Sequence, residues 1–301
     1  MSPPLFSVVI PAYNAALFIE ATLDSIRSQT CRDYEVIVVD DGSRDDTKGI
    51  VDRWISRHGL PARCIRQENK KIAGARNTGM RAAAGTYIAL LDHDDLWYPG
   101  KLAAAAQAIE EHPDAVLIGH HIDVRRDGRP ARTLRRRPDA SRMYEWLLFN
   151  GPAVSTSAAV IRRDKALEIG GFRENPEFDT VEDYDFWMRL SLVGPFIFLD
   201  QVLAEYAVVE NSASSRVEYH QANLESLLRN HFASYFKGSP GLRQRWMMRR
   251  RLATTYRGAA GALAHAGAPR SQRWPYIRRM LLTYPFAPRN IARALLWLIG
   301  K

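Results

Sequence analysis

The sequence predicts an α/β fold with a mostly parallel sheet, flanking helices and a basic helical region at its C-terminal end. In the first part of the chain, short apolar runs alternate with amphipathic segments, which is typical of βαβ units. Several of these runs end in polar residues, as expected at the ligand-binding edge of a parallel sheet. The C-terminal part is rich in arginine and lacks acidic residues, which sets it apart from the rest.

The first strand is predicted at residues 6–10, a largely β-branched run. We expect Pro11 to end it, because proline has no N–H to donate to the sheet. The helix that follows is predicted from Ile19, Leu23 and Ile26, which recur at helical spacing.

The second strand is predicted at residues 34–39, directly before the acidic turn that begins at Asp40. Ser43 and Asp46 have the spacing of a capping box, so we expect them to open the next helix. That helix should cover residues 47–55, where apolar side chains recur on one face.

A short strand at residues 63–66 and a helix of small residues at 74–84 complete the next unit. The strand at 87–91 is continuously apolar, as a parallel strand covered on both faces should be. Because the units alternate with short links, the strand ends at residues 11, 40 and 92 should meet at one edge of the sheet.

Three acids, Asp92, Asp94 and Asp95, follow the 87–91 strand within four positions. They cannot all stay charged so close together without a compensating cation. Oxygen ligands suit Mg²⁺ or Mn²⁺, and such an ion commonly also binds substrate phosphates. The alternative is a solvated turn rich in aspartate. The Asp-x-Asp pair therefore predicts a metal site.

The remaining elements are predicted from the same patterns. Residues 125–138, with seven arginines, form either a solvated loop or a basic lip for an anionic acceptor. The other predicted elements are helices at 99–111, 184–192, 227–235, 244–256 and 258–265, and a strand at 115–124.

Side chains at the strand ends suit a nucleotide. Tyr13 offers an aromatic face on which a base could stack, and Asp41 could accept the N–H of a uracil-like base. Arg76 could reach a base, ribose or phosphate. Taken singly, Tyr13 could equally be a core residue, Asp41 part of a turn, and Arg76 a solvated helix residue. Their joint placement favours a binding site.

Four ordered motifs resemble a family-2 glycosyltransferase of the GT-A fold, with its Rossmann-like sheet. They are SVVIPAYN from Ser7, VVDDGS from Val38, GARN from Gly74 and LDHDD from Leu91, and the resemblance covers roughly residues 5–210. It implies that Pro11, Tyr13 and Asp41 hold the base, with Ala12 and Asn14 beside them. It also implies that Asp92 lies near the ribose, next to His93, and that Asp94, with Asp92, ligates the metal on the diphosphate.

The same resemblance extends to Glu182 and Asp183, which precede an amphipathic segment. Carboxylates at a helix N-terminus are also explained by the helix dipole alone. In the family, Asp183 would be the general base that takes the acceptor's proton, and Glu182 would orient the acceptor. A single in-line step would then invert the anomeric centre. The chain departs from many relatives at Ala207 and Val209, where they carry an Arg and a His, so we predict no residue that closes over the diphosphate.

Charge divides the chain into a predicted catalytic domain at 1–225 and a basic helical region at 226–301. The latter holds 15 of the 42 Lys and Arg residues and none of the 33 Asp and Glu residues. Its end, residues 290–299, fits either an interfacial helix on an anionic membrane or a helix packed on the body. No apolar run approaches the roughly 18 residues that span a bilayer, and Met1–Phe6 lacks signal-peptide features. We expect a cytoplasmic protein, peripheral on the inner face of the cell membrane.

The sequence therefore predicts a metal-dependent, inverting transferase that uses a nucleotide-sugar, most simply a UDP-sugar. The acceptor would be a saccharide or lipid-linked, as in cell-surface polysaccharide or lipopolysaccharide synthesis. A sugar nucleotidyltransferase would want a Gly-rich basic phosphate loop after the first strand, where this chain has PAYN. A nucleic-acid-binding protein is the non-enzymatic alternative. We do not expect nucleic acid, because the basic tail lacks an interleaved aromatic platform.

Overall fold

The computed structural model describes residues 3–126, 129–208, 217–285, 287 and 291–292. The chain forms two compact units. The first comprises Met1–Trp146, Pro152–Glu174 and Glu182–Glu210, and the second comprises Leu147–Gly151, Asn175–Val181 and Asn211–Lys301.

The first unit contains the strands, which within the described residues form one sheet. They are β1 (Phe6–Ala12), β2 (Tyr34–Asp40), β3 (Ala62–Arg66), β4 (Tyr87–Leu90), β5 (Leu96–Trp97), β6 (Leu117–Arg126), β7 (Arg129–Leu134), β8 (Val160–Arg162) and β9 (Phe196–Val208). The helices up to the second unit are α1 (Ile19–Arg27), α2 (Thr47–His58), α3 (Lys71–Ala82), α4 (Lys101–Glu111), α5 (Met143–Asn150), α6 (Arg163–Glu168) and α7 (Glu182–Leu190). Of these, α5 begins in the first unit and ends in the second.

The sheet has the order β3-β2-β1-β4-β8-β6-β9-β5, and β7 pairs with β6. Strands β3, β2, β1 and β4 are parallel, whereas β8 runs antiparallel to both β4 and β6. The register places Ala12 beside Asp40. The predicted α/β fold is confirmed, and the ends of β1, β2 and β4 lie at one edge of the sheet as expected.

Strands β1 and β2 form the centre of the core, and both are buried along their whole length. On α1, the predicted positions Ile19, Leu23 and Ile26 are all buried against this core. Trp54 of α2 is also buried in it and donates a hydrogen bond from Nε1 to Asp24 at 3.1 Å. Apolar burial of this extent is the main stabilising contribution to the first unit.

Three local predictions are wrong. Pro11 does not end β1, which continues to Ala12. The Ser43–Asp46 capping box is absent, because Ser43 Oγ instead accepts the backbone N–H of Asn14 at 3.0 Å. The arginine-rich segment is not simply a loop, because Arg129–Leu134 forms β7 and pairs antiparallel with β6.

In the described part of the second unit there are three further helices, α8 (Val217–Phe236), α9 (Leu242–His265) and α10 (Arg270–Thr283). The two helices predicted at 244–256 and 258–265 are one, since α9 runs through Gly258. Helix α10, which contains Pro275, was not predicted. The domain boundary between 225 and 226 stays a prediction, and α8 runs through it.

In the described part of the chain, no helix combines the length and the apolar character needed to cross a membrane. Of the interfacial segment predicted at 290–299, only Ile291 and Ala292 are among the described residues. Val209 also lies outside the described residues.

Candidate active site

The end of β1 presents a mixture of buried and exposed residues. Pro11 and Ala12 are buried within the strand, and the Tyr13 ring is exposed at its end. Asn14 adopts a left-handed backbone with a φ of 50°, and its Oδ1 accepts the N–H of Arg44 at 2.9 Å. This backbone suits Asn, whose side chain can satisfy the turn. Tyr13 is therefore not a core residue, and its role in stacking on a base stays a prediction.

Asp41 lies one residue beyond β2 and is buried. Its Oδ1 accepts hydrogen bonds from Gln67 Nε2 at 2.6 Å and from the Lys70 backbone N–H at 2.8 Å. Burial raises the pKa of Asp41 despite these bonds. The protein thus holds this carboxyl group in place. Its predicted role as acceptor for a base stays a prediction.

Arg76 of α3 is 2% exposed, so it is not a solvated helix residue. Its Nη2 donates to Asp92 Oδ1 and its Nη1 donates to Glu182 Oε1, each at 2.9 Å. The guanidinium carbon lies 5.3 Å from the centre of the Phe172 ring. Burial opposes its charge, but Asp92 and Glu182 outweigh burial and raise the pKa of Arg76. One cation therefore joins carboxylates that lie 90 positions apart in the chain.

The three acids after β4 have different surroundings. Burial raises the pKa of Asp94, and the nearby Asp92 adds to the effect. Among the described residues, no other residue donates a hydrogen bond to the Asp94 carboxylate. Asp95 is buried, bonded to Ser157 Oγ, and accepts the backbone N–H of Ala207 at 3.2 Å. Asp95 thus secures the turn, while Asp94 remains available to a ligand.

His93, between the two aspartates, connects their turn to β1. Its Nδ1 lies 3.1 Å from the backbone carbonyl of Pro11. A carbonyl oxygen can only accept, so Nδ1 carries the proton in this bond. The single hydroxyl proton of Thr22 is shared between the backbone carbonyls of His93, at 2.8 Å, and Asp95, at 3.0 Å, which holds the turn against α1.

The predicted catalytic pair forms the first turn of α7, within the helix rather than before it. Burial, followed by the adjacent Asp183, raises the pKa of Glu182 to about 7. Asp183 is half-buried, and its Oδ1 accepts the N–H of Tyr184 at 2.6 Å. Both carboxylates lie where the helix dipole favours negative charge. Arg76 thus brings this turn to the same edge of the sheet as Asp92.

Two contributors to the site were not predicted. Ser157 accepts the N–H of Asp92 at 3.1 Å and donates to Asp95, so it connects both acids. Asn77 donates to the Phe172 carbonyl and accepts the Phe172 N–H, at 2.7 and 2.8 Å. Asn77 belongs to the GARN motif, but no local signal indicates the partners of either residue, because each acts on a segment more than 60 positions away.

The donor groups at this edge can be compared with those that a hard divalent cation requires. Asp92 and Asp94 supply carboxylate oxygens, and Asp94 has its carboxylate uncommitted to other described residues. No group of three or more His, Cys, Asp or Glu side chains suited to a metal is found in the described ranges. Mg²⁺ commonly binds one or two carboxylates and completes its shell with water and phosphate. The two aspartates therefore fit such an ion.

We expect Arg76→Met to lower the free energy of unfolding by about 3 kcal/mol, because it leaves two carboxylates without their buried cation. The free energy of unfolding of Arg76→Lys should lie between those of Arg76→Met and the wild type. Lysine keeps the charge, but its ammonium group cannot present the planar fork that reaches both acids. Thermal unfolding followed by circular dichroism measures this order. Arg81→Met, at an exposed position of the same helix, is the control, and equal melting of all variants would contradict the structural role of Arg76.

Comparisons with known proteins identify the family of this chain. A family model for glycosyl transferase family 2 matches residues 7–170. The amylovoran biosynthesis glycosyltransferase AmsB of Erwinia amylovora is 33% identical over 218 residues, which are 69% of this chain and 71% of AmsB.

Solved structures share the fold. TarS 1-349 of S. aureus, in complex with UDP, aligns with a TM-score of 0.58 at 20% identity, covering 98% of this chain and 92% of that one. The mannosyltransferase PcManGT of Pyrobaculum calidifontis, in complex with GDP-Man and Mn²⁺, aligns with a TM-score of 0.59 at 23% identity, covering 99% and 88%. The predicted GT-A fold is thereby confirmed. The family match spans more than half of the sequence, and this chain belongs to glycosyl transferase family 2.

Proposed function

We propose that this glycosyltransferase moves a sugar from a nucleotide-diphosphate donor, a UDP-sugar, to a hydroxyl of a saccharide or lipid-linked acceptor, with inversion. The observation that carries the proposal is the Arg76 bridge between Asp92 and Glu182. It joins the Asp-x-Asp turn after β4 to the acidic first turn of α7. Groups suited to a diphosphate and a group suited to deprotonating a hydroxyl thus belong to one site.

On the donor side, Tyr13 would stack on the base and Asp41 would accept its N–H, with Pro11, Ala12 and Asn14 shaping the turn. Asp94 and Asp92 would hold Mg²⁺ or Mn²⁺, which would supply positive charge to the leaving diphosphate. Support comes from the exposure of the Tyr13 ring and from the uncommitted Asp94 carboxylate. The UDP complex of TarS and the GDP-Man and Mn²⁺ complex of PcManGT support the class of donor.

On the acceptor side, Asp183 would take the proton of the acceptor hydroxyl. The hydroxyl oxygen then bonds to the anomeric carbon as the bond to the diphosphate oxygen breaks, and this single displacement inverts the centre. Glu182, whose pKa is raised to about 7, would orient the acceptor from its position against Arg76. Only one of the two acidic neighbours needs to be ionised for this chemistry.

The acceptor class follows from the relatives by analogy. AmsB is named for amylovoran biosynthesis, which supports a role in the synthesis of a polysaccharide. The location at the inner face of the cell membrane stays a prediction.

The proposal is tested by incubating the purified chain with UDP-, GDP- and dTDP-sugars and Mn²⁺, and measuring the nucleotide products. We expect UDP to be released from a UDP-sugar, faster with an acceptor saccharide. Release of pyrophosphate in the presence of a nucleoside triphosphate and a sugar phosphate would instead indicate a nucleotidyltransferase. Donor binding without release of any nucleoside diphosphate, across acceptors, would contradict the proposal.

A further inference from the structure

The second unit presents exposed apolar residues in a strongly basic background. Residues 226–301 hold 15 Lys and Arg and no Asp or Glu. Exposed charges of one sign this dense attract a surface of the opposite sign. The partner should therefore be anionic. The exposed apolar residues among the arginines indicate that it also has an apolar region.

The first turns of α9 expose two large apolar side chains. Leu242 is 87% exposed and Trp246, four residues later on the same helix face, is 48% exposed. The guanidinium carbon of Arg250, one further turn along, lies 5.8 Å from the centre of the Trp246 ring. Arg243, beside Leu242, is exposed and forms no ion pair within the described residues. This row thus combines apolar and cationic groups.

Helix α10 has a second such row. It consists of three exposed residues spaced four positions apart, Trp274, Arg278 and Leu282. The exposed fraction is 41% for Trp274 and 72% for Leu282. The buried residues Tyr276 and Met280 lie on the opposite side of the helix. The row therefore lies on a different side of α10 from these buried residues and is accessible to a partner.

The two rows are connected. Trp246 of α9 packs edge-on against Tyr284, which follows α10, with ring centres 5.5 Å apart. Tyr284 is two residues beyond Leu282, so the exposed start of α9 lies beside the exposed end of α10. We call the exposed residues Leu242, Arg243, Trp246, Trp274, Arg278 and Leu282 the α9–α10 face.

We propose that the α9–α10 face binds the surface of an anionic lipid membrane. Exposed Trp and Leu gain free energy at the boundary of headgroups and acyl chains, while Arg pairs with lipid phosphates. Each basic residue near an anionic surface strengthens attachment, and no acidic side chain of residues 226–301 opposes it. The inference goes beyond sugar transfer and does not need the apolar segment at 290–299.

A nucleic acid would explain the arginines but not the leucines. Phosphate contacts need cations, and stacking needs aromatic rings, whereas Leu242 and Leu282 offer neither. A bilayer uses all three kinds of side chain, which is why the membrane is the occupant that we favour.

The test is co-sedimentation of the full chain with liposomes of phosphatidylcholine alone or mixed with phosphatidylglycerol, at low and high salt. We expect pelleting to require the anionic lipid and to weaken at high salt. The double variant Leu242→Gln with Leu282→Gln should bind about tenfold more weakly, because it loses the apolar insertion. The double variant Arg243→Gln with Arg278→Gln should also lose about tenfold, through the lost lipid contacts.

Matched controls come from the first unit. Leu17→Gln with Leu192→Gln removes two exposed leucines, and Arg27→Gln with Arg81→Gln removes the same charge. Both controls should pellet as the wild type does. Thermal unfolding of every variant verifies that the fold is retained.

Three outcomes would overturn the inference. One is equal pelleting of the wild type and both α9–α10 face variants. Another is binding that ignores lipid charge. The third is the absence of liposome binding, whether or not the chain shifts single-stranded RNA or self-associates through the leucines in sedimentation velocity.

Discussion

Replacing Asp94 with asparagine is expected to reduce sugar transfer by about 10²–10³, because one charge-stabilising element is lost where the leaving diphosphate develops charge. The half-buried Asp94 carboxylate receives no hydrogen bond from another residue in the described part of the chain, and burial with Asp92 nearby raises its pKa. Both features favour a cation there. Asparagine keeps the shape and one oxygen but removes the charge, so nucleotide binding in the presence of Mn²⁺ should weaken as well.

Two measurements check this result, namely release of nucleoside diphosphate and calorimetric titration with the nucleotide, each with and without Mn²⁺. Asp114→Asn, at an exposed position before β6, is the matched control and should behave as the wild type. For Asp94→Asn, the nucleotide affinity measured with Mn²⁺ should also equal the affinity measured without it. Full activity of the wild type in excess EDTA would exclude the metal role of Asp94.

Much of the first unit could be predicted because its signals are local. The run that forms β4 is apolar throughout, and β1 and β2 contain continuous apolar runs at residues 8–12 and 36–39. Each of the three strands is followed by polar residues within a few positions. Strand β7 was missed because an arginine-rich segment lacks apolar alternation, and its strand is instead imposed by pairing with β6. Helix α9 was predicted as two helices separated at residue 257, but the buried residues Ala259, Ala260 and Leu263 continue the packed face beyond Gly258. Packing there outweighs the roughly 1 kcal/mol cost of glycine in a helix.

The site was predictable as a set of residues but not as a network. Tyr13, Asp41 and Asp94 could be placed from the strand ends that precede them. The commitment of Arg76 to Asp92 and Glu182 could not, because a single sequence carries no signal for a contact across 106 positions. Ser157 is similar, since a single serine gives no hint in the sequence that it will connect Asp92 to Asp95. The sequence therefore indicated which side chains lie at the strand ends, and packing determined how they are held.

Asp183→Asn should separate chemistry from binding at the start of α7. Asparagine keeps the volume of the side chain and can still accept the N–H of Tyr184, but it cannot take a proton from the acceptor hydroxyl. We therefore expect transfer to fall by about 10² or more while donor affinity and melting temperature stay near those of the wild type. Asp185→Asn, in the same turn, is the contrasting variant. Asp185 is fully buried and accepts hydrogen bonds from Arg189 at 2.7 Å and Arg173 at 3.3 Å.

The Asp185 variant should lower the melting temperature, because a buried carboxylate that binds two arginines contributes to stability and its removal leaves them less well paired. Transfer rates, donor calorimetry and thermal unfolding on both variants distinguish the two roles. A loss of rate in Asp183→Asn with intact donor binding and folding would identify a group that acts on the proton. If donor binding disappeared together with activity, Asp183 would instead hold the site together, and the base would have to be another group. Glu182 would be the first to examine, because burial and the adjacent Asp183 raise its pKa to about 7.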